Sequence, residues 1–185
     1  MNARPDPRSK LRAAIGSLAF FVLAPGVVGG LIPWSLTRWE SETPLPFWAP
    51  LRIVGACLIG ASMLALVLSF VRFVVEGLGT PAPVAPTEHL VVGGLYRYVR
   101  NPMYLAVAAI IFGQGLALGL PVLFAYGAVF CAVVASFVRL YEEPTLARTF
   151  GREYEEYRQA VPAWRPRRRP WQPRSAEAER GTSGV

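Results

Sequence analysis

The sequence predicts an all-α, polytopic membrane protein of about four transmembrane helices, in which a tight C-terminal helical hairpin is followed by a cytoplasmic amphipathic helix. Hydrophobic residues make up 53% of the 185 residues, and the mean hydropathy is +0.35. Charged residues make up only 17%, whereas soluble domains carry about 25%. The apolar residues are also concentrated in long runs, which is typical of segments that cross a bilayer.

The first two predicted spans cover residues 13–36 and 51–75. The first of these runs contains no charged residue, and about 20 apolar residues are enough to cross a bilayer. A secretory signal peptide is the alternative, because the preceding residues 1–12 are basic. The run is too long for a signal peptide and lacks a clear cleavage site, so residues 1–12 are instead predicted to be a disordered N-terminus. Gly26 and Gly30 have the spacing that permits close contact between helices.

The third and fourth predicted spans, residues 102–118 and 121–141, form the hairpin. Only Gly119 and Leu120 separate them. A connection of this length forces the two helices to run antiparallel and side by side. The residues that precede the third span are therefore expected to lie next to the residues that follow the fourth.

The chain after the hairpin predicts an amphipathic helix over residues 142–160. Four side chains fall on one face at helical spacing, namely Leu146, Phe150, Tyr154 and Tyr157. Gly151 inside this helix costs about 1 kcal/mol relative to Ala, which indicates close packing at that position. Residues 13–165 are assigned to one membrane domain, and the Arg/Pro-rich residues 166–185 are assigned to a disordered tail.

Lysine and arginine are distributed asymmetrically about the predicted spans, and this asymmetry sets the orientation. Basic residues precede the first span, lie between the second and third, and follow the fourth, where ten Arg lie between positions 139 and 180. The opposite side carries only Arg38 and Arg52. By the positive-inside rule both termini are cytoplasmic. This placement accounts for the net charge of +7 without a nucleic-acid partner. Membrane lipid is the expected partner, and the oligomeric state stays open.

Cysteine and histidine usage argues against a metal site. Cys57 and Cys131 each lie inside an apolar run and are predicted to be buried free thiols. His89 is the single histidine, and the two cysteines do not have the spacing of metal ligands. We therefore expect no bound metal ion.

Residues 88–104 are too rich in polar and aromatic side chains for a plain membrane connection. They contain the single His, three Tyr, two Arg and an Asn-Pro step. Because the hairpin is tight, Asn101 and Tyr104 are expected near Glu142 and Glu143 at the cytoplasmic face. Ionisable groups at the edge of the hydrocarbon are costly unless paired, so they mark a candidate site. The alternative is that the glutamates pair with Arg97, Arg100 or Arg139 as interface anchors, and that Asn101 only caps the third span.

Two sequence motifs flank the hairpin, LVVGGLYRYVRNPMYLAV before it and EEPTLARTFGREYEEYRQAVPAWRP after it. In combination they resemble the integral-membrane methyltransferases of the isoprenylcysteine carboxyl methyltransferase and phospholipid methyltransferase superfamily. The resemblance covers residues 79–166. It implies an enzyme that uses S-adenosylmethionine without a Rossmann domain, at the cytoplasmic face. The implied acceptor is a lipophilic small molecule or a lipidated substrate, such as an isoprenylcysteine carboxylate or a phospholipid amine.

The resemblance also implies which residues form the site. The positions that correspond to cofactor contacts are Glu88, His89, Leu90, Val91, Tyr96, Asn101, Pro102, Met103, Tyr104, Glu142 and Glu143. The substrate-side Arg of the isoprenylcysteine enzymes aligns with Val138, and the adjacent Arg139 is the expected substitute for substrate binding. No catalytic residue is identified. A carboxylate acceptor needs no general base, whereas an amine acceptor needs one, for which His89 or a glutamate is available.

Two other functions are compatible with the residues. Membrane reductases of the sterol-reductase type resemble the same C-terminal hairpin but use a nicotinamide cofactor. A small membrane protein that binds lipid or a partner, without enzymatic activity, is the other. Gln114 stands alone as a polar residue in the third span, and it is expected to hydrogen-bond between helices.

Overall fold

A computed structural model describes residues 23–77 and 90–172. The regular structure in these residues is helical, as the predicted all-α class requires, and five helices follow one another: α1 (Leu23–Thr37), α2 (Ala49–Gly77), α3 (Pro102–Leu118), α4 (Pro121–Phe137) and α5 (Glu143–Ala160). A π-helical turn, Val138–Glu142, joins α4 to α5 without a break, and a 3-10 turn, Gly94–Arg97, precedes α3. The predicted N-terminus and the beginning of the first predicted span lie outside the described residues.

Two helical stretches are long and apolar enough to cross a membrane. They are Ala49–Phe73, within α2, and Pro121–Ala160, which is α4 continued through the π turn into α5. Only 22% and 17% of their apolar windows are buried within the chain, so they are not the core helices of a water-soluble fold. Their exposed apolar side chains include Ile53, Leu64, Val129, Val133 and Leu140. An exposed apolar surface of this extent indicates contact with lipid. Helices α1 and α3 are also apolar but shorter.

Helices α2 and α3 pack closely, and two glycines set their separation. A Cβ atom added to Gly55 would lie 2.6 Å from the carbonyl oxygen of Gly113 and 2.6 Å from the backbone nitrogen of Ala117. The two backbones therefore touch, as membrane helices do where small residues face each other. Within the chain, Gly26 and Gly30 make no such contact, because no described atom lies within 4 Å of a Cβ added at either position. The backbone contact seen between α2 and α3 is therefore not made at Gly26 or Gly30 within the described residues.

Helix α1 is locally widened into a π-helical segment, Val27–Leu31. Two side chains of the hairpin donate hydrogen bonds to carbonyl groups of this segment. Gln114 Nε2 donates to the carbonyl of Gly29 over 2.6 Å, and the Tyr126 hydroxyl donates to the carbonyl of Val28 over 2.8 Å. Side chains that insert into a helical hydrogen-bond ladder are a known cause of local distortion. The prediction that Gln114 hydrogen-bonds between helices is confirmed, since its bond joins α3 to α1.

The turn between α3 and α4 consists of Gly119 and Leu120. Gly119 has φ +74°, the left-handed conformation that commonly ends a helix and that favours glycine. The loop before α2 closes over this turn, because the backbone N–H of Glu42 donates to the carbonyl of Leu118 over 2.8 Å. With so short a turn, the beginning of α3 and the end of α4 are neighbours at the other end of the hairpin.

Helix α5 lays an aromatic face against residues 90–101, which we call the connector. Tyr154 and Tyr157 are buried and form a cluster with Val161. The residues that pack against this cluster include Leu90, Val92, Leu146, Phe150 and Trp171. Gly151 interrupts the helical backbone with φ +52° and ψ −122°, a conformation that a side chain disfavours. No described atom lies within 4 Å of a Cβ added there, so the glycine serves a kink and not the close packing expected from the sequence.

The chain after α5, residues 161–172, runs antiparallel along the connector, and we call it the strap. Three backbone hydrogen bonds join the two segments: Arg100 N to Pro162 O (3.0 Å), Arg167 N to Tyr98 O (2.9 Å) and Trp171 N to Arg97 O (2.9 Å). Residues 166–172, which the sequence assigned to a disordered tail, therefore belong to the strap. The connector is held between α5 on one side and the strap on the other.

Cys57 and Cys131 are exposed, contrary to the prediction that they are buried. Each lies on a helix whose outer surface is apolar. A residue on such a surface is shielded from water by lipid and not by the chain, so its apolar sequence context does not imply burial within the fold.

Candidate functional site

A cavity lies where the beginning of α3 meets the end of α4, next to the connector. It measures about 270 Å³, close to the lower end of the range of about 300–1,000 Å³ for small-molecule sites. Its polar lining consists of Tyr96, Arg100, Asn101, Tyr104 and Glu142. Its apolar lining includes Val28, Leu66, Val107, Phe130 and Phe137. The cavity thus combines a polar end at the connector with an apolar end among the first four helices.

Tyr104 and Glu142 bring the two ends of the hairpin together at this cavity. The Tyr104 hydroxyl donates a hydrogen bond of 3.2 Å to Oε2 of Glu142. Tyr104 lies in the first turn of α3, since Pro102 begins that helix, and Glu142 is the last residue of the π turn. Single π turns occur often at functional sites, where they redirect a side chain.

Glu142 is a carboxyl group in a mostly apolar environment. Burial raises the pKa of Glu142 above its ordinary value of 4.5, and the negative charge of Glu143 adds to the rise. The hydrogen bond from Tyr104 and the positive charge of Arg100 oppose this increase without cancelling it. A carboxylate in this state is stabilised by a ligand that brings a positive charge or a hydrogen-bond donor.

Arg100 lies just before α3 and connects the cavity to α5. Its Nη1 atom pairs with Oε1 of Glu143 over 2.9 Å and donates to the Tyr154 hydroxyl over 2.9 Å. The side chain is 12% exposed, and its Nε atom is buried without a hydrogen-bond partner among the described residues. A buried donor left unpaired costs about 1–3 kcal/mol, so a ligand with an acceptor group would be stabilised here. For Glu143, the interpretation that a glutamate pairs with an arginine is correct.

Asn101 is 8% exposed and lines the cavity. It precedes α3, but its side chain makes no capping hydrogen bond. Its Nδ2 atom donates instead to the carbonyl of Ala163 in the strap, over 3.3 Å. The interpretation of Asn101 as a helix cap alone is therefore wrong, because the side chain ties the strap to the cavity wall.

Two further contacts fix the path of the connector. Glu76, near the end of α2, accepts a hydrogen bond of 2.8 Å from the backbone N–H of Gly93 and pairs with Arg72 at 3.0 Å. A Cβ atom on Gly93 would collide with that carboxylate, which explains the glycine. The Tyr157 hydroxyl donates to the carbonyl of Tyr96 over 2.7 Å. Burial raises the pKa of Tyr96 well above its ordinary value, so its phenol stays protonated at the cavity.

The residues predicted to form the site fall into three groups. The structure brings together around the cavity Tyr96, Asn101, Pro102, Met103, Tyr104 and Glu142. Glu143 and Arg139 line a neighbouring open cleft. Leu90 packs in the aromatic cluster of α5, and Val91 is buried outside the cavity lining. Glu88 and His89 lie outside the described residues. Val138, where the resemblance implies a substrate-side Arg in related enzymes, is buried.

Some residues of the cavity were missed by the sequence analysis. Arg100 is predicted only as an interface anchor, but it lines the cavity. Its position directly before Asn101 and Pro102 is the sequence signal that would have placed it in the site. Leu66, Phe130 and Phe137 also line the cavity. They carry no sequence signal, because apolar residues that line a cavity have the same pattern as apolar residues that face lipid.

Comparison with known families agrees with this arrangement. The family model for phospholipid methyltransferases matches residues 51–153, more than half of the chain. The matched region contains nearly all of α2, the connector, the hairpin and the first part of α5. It therefore includes the polar lining of the cavity. A comparison with curated proteins found no match. The family match confirms the resemblance seen in the two motifs, and the chain belongs to the phospholipid methyltransferase family of membrane methyltransferases.

Proposed function

We propose that this protein transfers a methyl group from S-adenosylmethionine to a lipophilic acceptor at the cytoplasmic face of a membrane. One observation carries the proposal: Tyr104 and Glu142, from opposite ends of the hairpin, meet at a cavity whose other end is apolar. Membership of the family supplies the reaction class. The cavity supplies a place where a polar donor and an apolar acceptor can be held together.

The lining of the cavity suits S-adenosylmethionine. The ammonium group and ribose hydroxyls of this donor are hydrogen-bond donors, which the carboxylate of Glu142 accepts. Its carboxylate is an acceptor, which the unpaired Nε–H of Arg100 and the amide of Asn101 satisfy. Apolar side chains such as Val107 and Phe130 provide a wall for the adenine ring. These residues, with Tyr96, Pro102, Met103 and Tyr104, would hold the donor.

Glu88, His89, Leu90, Val91 and Glu143 stay in the proposed cofactor site on the strength of the resemblance alone. Leu90 and Val91 lie on the connector before its cavity-lining part, where Leu90 packs against the aromatic cluster of α5 and Val91 is buried. Glu143 acts on the cavity through its ion pair with Arg100. The resemblance likewise assigns Arg139, which lines the neighbouring cleft, to substrate binding.

When bound, S-adenosylmethionine supplies a methyl group made electrophilic by the sulfonium. The chain contributes position and exclusion of water, which supply much of the rate in such transfers. The Tyr104–Glu142 bond holds the two helix ends at a fixed separation, and the strap covers the side at Asn101. A carboxylate acceptor needs no proton removed. An amine acceptor loses a proton as the new N–C bond forms, and Glu142 and His89 are the candidates to receive it.

We further propose that four segments cross the membrane, with both termini and the connector on the cytoplasmic side. The apolar character of α1 and α3, which are short within the described residues, supports this topology. So does the asymmetry of Lys and Arg about the apolar segments. Helix α5, with most of its charged residues exposed and its tyrosines buried against the connector, then lies at the cytoplasmic surface.

Calorimetric titration tests the proposed cofactor. The full-length protein in detergent is titrated with S-adenosylmethionine and, in parallel, with NADPH. We expect S-adenosylmethionine to bind and NADPH not to bind. Binding of NADPH alone would identify a membrane reductase instead, and binding of neither would favour a protein without enzymatic activity. Transfer of a labelled methyl group into a total extract of lipids and membrane proteins then identifies the acceptor.

A further inference from the structure

The strap has a strongly basic outer face. Residues 161–172 contain four arginines and no acidic residue. The side chains of Arg165, Arg168 and Arg169 are exposed, and within residues 23–77 and 90–172 none of them makes a hydrogen bond or an ion pair. Arg167 differs, because it is partly buried and its backbone N–H donates to the carbonyl of Tyr98 over 2.9 Å. The strap therefore bonds to the connector on one side and exposes three unpaired positive charges on the other.

The neighbouring helix α5 is also charged, but its charges are balanced. It contains three arginines and four glutamates. Arg152 pairs with Glu156 at 3.2 Å, and Arg158 lies 3.7 Å from Glu155. The excess of positive charge after the hairpin is therefore concentrated on the strap and not on the helix before it.

The strap lies at the level where the apolar parts of the hairpin end. The carbonyl of Pro162 accepts a hydrogen bond from the backbone N–H of Arg100, two residues before α3 begins. On α4 and its π turn, exposed apolar side chains continue as far as Leu140 and Tyr141. Trp164 of the strap is itself exposed, and tryptophan is enriched at the level of lipid headgroups. These positions place the strap where a membrane surface would meet the chain.

We propose that the outer face of the strap docks on anionic lipid headgroups, and that this docking holds the strap against the connector. Charge complementarity supports an anionic surface as the partner, because a guanidinium group forms strong, charge-assisted hydrogen bonds with phosphate oxygens. Each basic residue close to such a surface strengthens binding by about fivefold. A membrane presents many headgroups at once, so that Arg165, Arg168 and Arg169 can all be satisfied together.

Docking of the strap has a consequence for the cavity. Ala163, directly before Trp164, accepts a hydrogen bond of 3.3 Å from Nδ2 of Asn101, which lines the cavity. A partner that binds the strap in this position stabilises the position itself, and with it any ligand that the closed cavity holds. On the basis of the proposed function, S-adenosylmethionine is therefore expected to bind more tightly when the membrane is anionic.

Hydrogen–deuterium exchange of the full-length protein in lipid nanodiscs tests this surface. Nanodiscs of phosphatidylcholine alone are compared with nanodiscs of equal parts phosphatidylcholine and phosphatidylglycerol. The reporters are the amides of Arg167 and Trp171, which bond to the connector. We expect their exchange to slow by at least about fivefold on the anionic nanodiscs, the effect of one arginine at such a surface, and the slowing to diminish at high salt. Equal exchange in the two lipids would overturn the proposal.

A strap variant tests whether the exposed arginines are responsible. Arg165→Gln/Arg168→Gln/Arg169→Gln should exchange like the wild type in phosphatidylcholine alone, because the backbone bonds of the strap remain. It should lose the slowing that phosphatidylglycerol causes in the wild type. Slowing of wild-type size in this variant would overturn the proposal.

Two controls separate docking of the strap from a general response to charge. A variant of α5, Arg148→Gln/Arg152→Gln/Arg158→Gln, removes the same charge from exposed residues and should keep the slowing. Loss of the slowing in both triple variants would overturn the strap as the docking surface. Glycerol 3-phosphate added to nanodiscs of phosphatidylcholine should not slow exchange, and slowing equal to that caused by phosphatidylglycerol would overturn a membrane surface as the partner.

Calorimetry in the same two nanodiscs tests the consequence for the cavity. We expect wild-type protein to bind S-adenosylmethionine more tightly on the anionic nanodiscs, and the strap variant to bind it equally in both. Equal affinity of the wild type in the two lipids would overturn the link between strap and cavity. Slower exchange on anionic nanodiscs by a protein that does not bind S-adenosylmethionine would support the docking surface while rejecting the proposed function.

Discussion

The hydroxyl of Tyr104 donates a 3.2 Å hydrogen bond to Oε2 of Glu142, and this bond joins the first turn of α3 to the end of α4. The two residues are 38 positions apart in the sequence, yet they border the same cavity. The Gly119-Leu120 turn makes this contact possible, because it returns α4 along the full length of α3. The pair is therefore the most direct point at which to test the proposed cofactor site.

Removing the charge of Glu142 should weaken binding of S-adenosylmethionine. We expect Glu142→Gln to raise the Kd by about tenfold or more, since a hydrogen bond to a charged group contributes about 1.5–3 kcal/mol. Tyr104→Phe should raise it less, because the carboxylate remains. Isothermal titration calorimetry in detergent measures both effects. Glu156→Gln, on the outer face of α5, is the control and should bind as the wild type does; wild-type affinity in both cavity variants would remove Tyr104 and Glu142 from the site.

The affinity should also depend on pH through Glu142. Burial raises the pKa of this carboxyl group in the folded protein above its ordinary value of 4.5, and S-adenosylmethionine carries a net positive charge that favours the ionised form. Affinity is therefore expected to rise as the pH increases from 4.5 through the raised pKa, and the Glu142→Gln variant should show no such rise. Calorimetry between pH 4.5 and 7 measures the profile, and a flat profile in the wild type would contradict the role assigned to Glu142.

The stability of the ligand-free protein should respond to pH in the opposite direction. Between pH 4.5 and the raised pKa, the folded state binds more protons at Glu142 than the unfolded state does. The contribution of this group to stability therefore falls as the pH rises through that window. Thermal unfolding of wild type and Glu142→Gln across the same range isolates the effect. The Tm of the variant relative to that of the wild type should increase as the pH rises.

The contact between α2 and α3 should not tolerate a side chain at Gly55. The Cβ atom of Gly55→Ala would lie 2.6 Å from backbone atoms of α3, and neither backbone can move away without separating the helices. We expect a loss of about 1–3 kcal/mol, the usual effect of overpacking, measured as a lower Tm in detergent. Gly60→Ala, on the same helix but with no described atom within 4 Å of the new Cβ, is the matched control and should keep or slightly raise the Tm. Equal Tm values for the two variants would show that the helices do not touch at Gly55.

The proposed topology places the loop between α1 and α2 on one side of the membrane and the C-terminus on the other. A reporter fused after Val185 is expected on the cytoplasmic face, and a single cysteine introduced at Glu42, in a variant lacking Cys57 and Cys131, is expected on the opposite face. Labelling with a membrane-impermeant thiol reagent in intact cells measures the second position. Detection of both positions on one face would exclude the three spans that the proposed topology places between them, and with them the four-span topology.

Local patterns were enough to predict much of the fold. The helical hairpin follows from two apolar runs, each begun by proline and separated by Gly119 and Leu120. The proximity of Tyr104 to Glu142 follows from the hairpin alone, because no other arrangement of so short a turn is possible. The sequence marks Gly151 as unusual inside a helix, but the close packing predicted there is wrong. A glycine is required both for a positive φ and for close packing, so the sequence alone does not distinguish the two.

The strap and the apolar half of the cavity were not predictable in this way. Residues 166–172 are rich in Arg and Pro and show no periodicity, and their ordering depends on hydrogen bonds to backbone groups of the connector. Nearly every residue carries the same backbone N–H and C=O groups, so hydrogen bonds between them cannot be predicted from the types of the residues involved. Asn101 illustrates the limit: its position before Pro102 predicts a cap, whereas the bond that it makes is to Ala163, 62 residues later.

The strap also fixes the order in which the site is assembled during translation. Arg97 and Trp171 are joined across 74 residues, so the connector leaves the ribosome well before the segment that secures it. A nascent chain that ends after α5 already contains all the apolar helices, yet its Asn101 has no Ala163 carbonyl to bind. The apolar helices are therefore synthesised before the strap residues that close the pocket. Completion of the site therefore has to wait for synthesis of residues 161–172, which follow the final helix.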